Sequence, residues 1–225
     1  MSGAKTPDSS ADGVGTAVAG QPAGTPDPAA PDAGRTVVRY LPPWRVEITL
    51  RPGVLVPVRM ARICRLVGAA LDACSAPAPA SIGVVLSSDS ELAALNRAAM
   101  GRNGPTDVLS FPLLPPRAFP ARRAAESSGA GQAAGFPAPF ALPPGIRPHL
   151  GDVIVSVERA AAQASGGRGG QTGHVAWDVR DELSLLVVHG VLHVCGWDHA
   201  ERTERAAMRR LERTILADAA RKHRG

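Results

Sequence analysis

The chain has 225 residues, 25 Lys and Arg against 20 Asp and Glu, and a formal net charge of +5 with a pI near 9.8. That length fits one domain with appendages, or two very small domains. No run reaches the ~18 consecutive apolar residues of a membrane span, the N-terminus lacks the apolar stretch of a secretory signal, and Cys64, Cys74 and Cys195 form an odd set without metal-type spacing. These features argue against a membrane protein and a disulfide framework, and they predict a reduced, cytoplasmic protein.

Residues 1–44 hold small, polar, Pro- and Gly-rich sequence with no hydrophobic periodicity. Such a segment buries too little apolar surface to offset its ordering entropy, so it reads as a disordered arm. The remainder, 45–225, reads as a single domain. Arg45 to Arg51 alternates apolar and polar residues, as a half-buried strand does. Pro57 opens a helix, and Val58 to Cys74 carries Ile63, Leu66, Val67, Ala70 and Leu71 at helical spacing. "SIGVVLSS" is a short buried strand, and "DSELAALNRAAM" is a helix with Asp89 as its expected N-cap. "TDVLSFPLL" is strand-like and leads into a Pro- and Ala-rich stretch, 115–148, which reads as a flexible insertion. "GDVIVSV" is the next strand and "ERAAAQAS" the next helix. A glycine-rich linker precedes a long apolar helix over 178–194, and a last helix covers about 201–220. About four strands interleaved with about five helices predict an α+β fold with a mixed sheet and helices packed on it.

Charge is unevenly placed. From Ala200 to Gly225 there are eight Lys or Arg against four Asp or Glu, and the insertion adds Arg117, Arg122, Arg123 and Arg147 against Glu126. A basic balance suits a polyanion such as nucleic acid, and equally a solvated surface. The arginines of the last helix could track phosphates, yet Glu201, Glu204 and Glu212 among them also suit an ordinary ion-paired surface.

Half of the six histidines, His189, His193 and His199, fall within VVHGVLHVCGWDHA. His189 and His193 are spaced i, i+4 and share one helix face. Each can offer a nitrogen to one metal ion at about 2.0–2.1 Å. Gly196 tolerates the left-handed conformation that ends a helix, so the chain can turn back and His199 can supply a third ligand. Three protein ligands and an open position are the pattern of catalytic zinc, which lowers the pKa of water toward about 7. One Zn2+ per chain is the expected cofactor. Cys195 points away from that face and packs at the helix end. The zinc proteases called metzincins share this spacing but carry a glutamate after the first histidine as general base. Gly190 stands there instead, which disfavours peptide hydrolysis.

HGVLHVCGWDH resembles the H-G-x-L-H-L-x-G-[YW]-D-H signature of the YbeY family of bacterial endoribonucleases. Leu95 to Pro112 (LNRAAMGRNGPTDVLSFP) and Leu150 to Ala160 (LGDVIVSVERA) are similar to two further blocks of that family, in the same order. The resemblance implies a zincin-like metal helix with His189, His193 and His199 as zinc ligands. It implies a zinc-dependent, single-strand-specific endoribonuclease that matures the 3′ end of small-subunit rRNA and serves ribosome quality control. Single-stranded RNA or rRNA, and the ribosome or its small subunit, are then the partners. The family's aromatic residue and arginine after its L-N pair fall here on Ala99 and Met100, so Arg97 and Arg102 become candidates for holding phosphate. Thr106, Asp107 and Ser110 are candidate cleft residues, with turn and strand-edge chemistry as the alternative. Asp198 either orients a ligand imidazole or caps the last helix. Two rivals stand beside the nuclease: a non-catalytic, zinc-binding ribosome-assembly factor and a zincin-type metalloprotease.

Overall fold

Five strands and five α-helices are present among the residues that the computed structural model describes, 34–120, 146–165, 177–198 and 201–221. In chain order they are β1 (Arg35–Leu41), β2 (Trp44–Leu50), α1 (Met60–Ala73), β3 (Ala80–Ser87), α2 (Asp89–Met100), β4 (Val108–Pro112), β5 (His149–Ser156), α3 (Val157–Ser165), α4 (Val179–Val194) and α5 (Arg202–Arg221). The sheet runs β1-β2-β3-β5-β4; β2, β3 and β5 are parallel, and β1 and β4 are antiparallel edges.

The two kinds of strand pattern follow from which faces the helices cover. Along β2, Trp44, Val46 and Ile48 are buried and the residues between them only partly so. One face meets α1 and the other is open, hence the alternation. β3 is buried along nearly its whole length, because helices lie on both of its faces. On one face α1, α3, α4 and α5 share a large core with Val84, Val153 and Val155. On the other, α2 covers a smaller cluster of Leu92, Leu109 and Ile154, with Val85, Leu95 and Phe111 beside it. Successive residues of β5 thus serve opposite cores.

The mixed α+β sheet and the helix number are as expected; the strand number is one higher. The additional strand, β1, lies within the segment expected to lack structure. It pairs with β2 along its full length, while its own residues are exposed or only half-buried. An edge strand open on both faces carries no buried-face pattern for a sequence reading to find. Of the stretch expected as a flexible insertion, residues 115–120 and 146–148 are described. Pro116–Ala118 form a 3-10 turn, Phe119 is fully buried, and the Arg147 guanidinium donates to the Pro43 carbonyl at 2.5 Å. Residues 1–33, 121–145 and the linker residues 166–176 lie outside the described residues.

The N-cap of α2 is Ser88 rather than Asp89; the Ser88 hydroxyl accepts from the Glu91 backbone N–H, and Asp89 instead accepts from the Ser156 hydroxyl at 2.5 Å. The Glu91 side chain ties α2 to the end of β2. Arg51 Nε donates to both of its oxygens at 3.0 Å and Arg51 Nη2 to Oε1 at 2.7 Å, while the Ser87 hydroxyl donates to it as well. Burial by itself would raise the Glu91 carboxyl, but the Ser87 hydroxyl and the Arg51 guanidinium outweigh burial and hold it below its ordinary 4.5. A carboxyl lowered on folding adds stability that is complete above its unfolded value and disappears as pH falls through its folded one. In thermal melts Glu91→Gln is therefore expected to lie below the wild type at neutral pH, with the gap closing between about pH 5 and pH 3. A gap that stays constant down the acid limb would show that the Glu91 charge does not contribute in this way.

Candidate metal centre

Helix α4 is held at its start by a capping box. The Asp178 carboxylate accepts from the backbone N–H groups of Arg180 at 2.8 Å and Asp181 at 3.0 Å, and the Asp181 carboxylate accepts in return from the Asp178 N–H at 3.5 Å. Its sequence is apolar nearly all round, as suits a helix packed between the sheet and other helices. Two imidazoles interrupt that surface. The Nε2 atoms of His189 and His193 lie 3.1 Å apart, with ring planes crossed at 79°. His189 Nδ1 is 2.7 Å from Oε1 of Glu212 on α5, and Glu212 is only 7% exposed.

This pair fits a divalent metal. Two nitrogens each at 2.0–2.1 Å from one tetrahedral zinc stand about 3.3 Å apart, close to the observed separation. The Glu212 carboxylate engages the nitrogen turned away from the pair, as carboxylates behind ligating histidines do, which leaves Nε2 with its lone pair directed at the site. Among the described residues no group of three or more His, Cys, Asp or Glu gathers around one point, and His199 lies outside the described residues.

The end of α4 turns as a Schellman motif, with the Gly196 N–H donating to the His193 carbonyl at 2.9 Å and the Trp197 N–H to that of Leu192 at 3.0 Å. Gly196 has φ +83°, and a Cβ there would stand 2.8 Å from Pro116 Cα, so glycine is needed for both conformation and space. Trp197 packs against the main core. Asp198 is exposed, and its backbone N–H donates to Glu204 Oε1 at 3.0 Å, which ties the turn to the first turn of α5. Cys195 is buried beside Cys74 at the ends of α4 and α1; the hydrogen bond between the two thiols, and then burial, push the Cys195 thiol well above its ordinary range.

Gly190 is fixed by packing. A Cβ on it would stand 2.3 Å from Val153 Cγ1 and 3.0 Å from Val108 Cγ2, and the Ser110 hydroxyl donates to the Gly190 carbonyl at 3.0 Å. The position following the first histidine thus faces the sheet. A glutamate there would be driven into β4 and β5.

The other candidate residues are spread around β4. The Asp107 carboxylate accepts from the Val108 N–H at 3.0 Å and from Gln163 Nε2 at 3.0 Å, and the Thr106 hydroxyl donates to the Val108 carbonyl at 3.4 Å. Arg97 and Arg102 are exposed at the end of α2 and in the loop after it, next to Met100, which is 49% exposed. Asn96 Nδ2 anchors that loop by donating to the Gly104 carbonyl at 3.0 Å. The residues of α2 that are buried pack on the sheet face opposite α4.

The pattern of the family described as Endoribonuclease YbeY matches residues 58–220, a span that takes in every element from α1 to α5 except the last residue of α5. The chain belongs to the YbeY family. It is 35% identical over 162 residues to the Endoribonuclease YbeY of Thermobifida fusca (strain YX), covering 72% of this chain and 86% of that one. To that of Parvibaculum lavamentivorans it is 40% identical over 139 residues, covering 62% of each, and to that of Salinispora tropica 38% over 148 residues, covering 66% of this chain and 80% of the other. Within this YbeY chain, β1 and β2 precede the matched span.

Glu212 is the functional candidate that the sequence reading placed on an ion-paired surface and that the structure buries against a histidine. Its signal was an acid within the apolar stripe of α5, between Met208 and Ile215, which are both buried. Gly190→Ala is expected to lower stability by about 1–3 kcal/mol in urea melts, despite alanine's better helix propensity, because the added methyl meets a stiff β-branched side chain. Adding Val153→Ala to it should restore part of the loss. Equal or higher stability of Gly190→Ala alone would contradict the close packing described.

Proposed function

We propose that this YbeY chain cuts single-stranded RNA at a zinc site built from His189, His193 and His199, and that its substrate is rRNA on or near the small ribosomal subunit. Membership of the family makes it an endoribonuclease, a hydrolase of RNA phosphodiester bonds. The observation that carries the metal assignment is the convergence of His189 and His193 Nε2 at 3.1 Å with Glu212 behind His189. A zinc ion bound there supplies Lewis acidity toward a phosphoryl oxygen and eases deprotonation of an attacking oxygen. The chain's own groups do the rest. Glu212 fixes the His189 ring and its proton at Nδ1, and the Ser110 hydroxyl fixes the helix turn that carries His189 against β4. Arg97 and Arg102, exposed on α2 and in the loop between α2 and β4, are proposed to hold the strand through phosphates. For Thr106 and Asp107 we propose the indirect part, shaping the turn into β4.

The protease reading finds less support. Glycine replaces the general base, and a glutamate does not fit at that position. The edge of β4 is also poorly suited to pairing with a peptide. Asp107 and Leu113 bond inward to β5, so Val108, Ser110 and Pro112 turn their backbone groups outward. The Val108 N–H and carbonyl are occupied by the chain's own Asp107 and Thr106, and Pro112 has no N–H. The assembly-factor reading differs from ours in expecting metal without cleavage.

His189→Ala is expected to abolish stoichiometric zinc binding, measured by competition with a chromogenic chelator, and to abolish cutting of an end-labelled single-stranded RNA. Cutting that survives in this variant would refute the metal-dependent mechanism; zinc binding by the wild type with no cutting under any condition would favour the assembly factor. Glu212→Gln keeps the size but not the charge of the group behind His189. It is expected to weaken zinc affinity by about 10–100-fold in the same competition. Unchanged affinity would remove Glu212 from the site.

A further inference from the structure

Away from the histidines, at the opposite end of α4, a cleft of about 690 Å³ opens between the start of α1 and the start of α4. Pro57, Val58 and Ala61 give it apolar walls, and Arg59, Arg62, Arg65 and Arg180 converge on it. Three of these arginines recur at three-residue spacing and so share one side of α1, while the fourth comes from the first turn of α4. Two are braced by acids: Arg62 lies 3.5 Å from Asp181 and donates to the Ser184 hydroxyl at 3.3 Å, and Arg180 lies 2.6 Å from Asp178. Arg59 and Arg65 are exposed, and no ion pair to either is found among the described residues. Four guanidiniums against two carboxylates leave the cleft with an excess of positive charge. The end of α1 adds to it, since that helix has no side-chain cap and no acid in its first turn. Its free backbone N–H groups and dipole favour an anion at that end.

We infer that this cleft is a second binding site for RNA, taking the phosphates of the substrate strand outside the bond that is cut. The inference rests on the nuclease reading for the identity of the polyanion. Guanidinium forks bind phosphate bidentately, and a positively charged groove tracks the backbone of a single strand without reading its sequence. The size of the cleft suits more than one phosphate, lying within the ~300–1,000 Å³ of sites that enclose ligands of several groups. Arg180 and His189 stand nine residues apart on one helix, about 14 Å along its axis at 1.5 Å per residue. A strand that engages both sites therefore has to extend over several nucleotides, and very short RNAs engage only one.

The test is binding, kept apart from cleavage. A fluorescein-labelled 20-mer oligouridylate is titrated with the His189→Ala protein, with and without Arg59→Ala and Arg65→Ala, across a salt series by anisotropy. Each lost phosphate contact should lower the slope of log affinity against log salt by about 0.7, so the double change should remove about 1.4 and either single change half of that. Arg59→Lys with Arg65→Lys should retain the slope. Both arginines are exposed, so melting temperatures should be unchanged. A full slope in the folded double variant overturns the proposal and leaves the nuclease reading intact. No RNA binding by the parent protein also overturns it. If polyglutamate of equal length displaces the RNA as well as unlabelled oligouridylate does, and loses its own binding in the double variant, the cleft takes an acidic peptide and the RNA assignment falls. Cleavage that fails while the slope responds as expected would count against the nuclease reading alone.

Discussion

The close approach of α4 to the sheet at Gly190 is the contact from which the rest of the site is placed. With Val153 and Val108 against the glycine and the Ser110 hydroxyl on its carbonyl, the helix can rotate neither way without a clash or a lost hydrogen bond. Helical geometry then decides where the neighbours go. One residue earlier and three residues later, His189 and His193 are turned off the sheet and toward α5. A larger residue at position 190 would move the helix outward and carry both imidazoles with it. The placement of the histidine pair and core packing are thus set by one contact, which explains why the position that holds a general base in metzincins has no room for one here.

Sequence and structure agree best where one physical signal decides. The helices over 89–100 and 179–194 and the strands β2, β3 and β5 have strong periodicity or continuous apolar runs, and the sheet with its covering helices follows from them. The misses have a common cause, which is that their stabilising partners are distant in sequence. β1 is specified by pairing with β2 and not by a buried face of its own. Phe119 is a lone apolar residue in a Pro- and Ala-rich stretch, and only the tertiary core reveals why it is buried. Glu212 lies 23 residues from His189 and reads locally as part of a charged helix. Its place in the apolar stripe was visible, but helix-surface ion pairs at i, i+4 offered a nearer explanation.

The polar residues around β4 show how a block of sequence can look like a cleft and work, at least in part, as architecture. Thr106 and Asp107 occupy the backbone groups that an edge strand would otherwise expose, and Asp107 also reaches Gln163 on α3. Asn96 does the same for the loop after α2. Edge strands that keep open donors and acceptors invite other strands, so occupying them locally protects the sheet. It also leaves fewer open backbone groups on β4 for a peptide strand to pair with.

Glu212 joins this surface to the stability of the fold. A carboxylate that is 7% exposed is costly to bury unless it is paired, and its partner here is His189. Met208 and Ile215 flank it, so the helix cannot dock its apolar stripe without also delivering the carboxylate to the imidazole. The converse holds as well: an arrangement in which α5 is displaced strands a buried acid and frees the His189 ring. Any ligand that binds the ordered histidine pair and not the displaced one therefore stabilises the docked helix by mass action. For any such ligand, occupancy of the histidine pair, the orientation of His189 and the packing of the last helix form one equilibrium, linked through a single side chain.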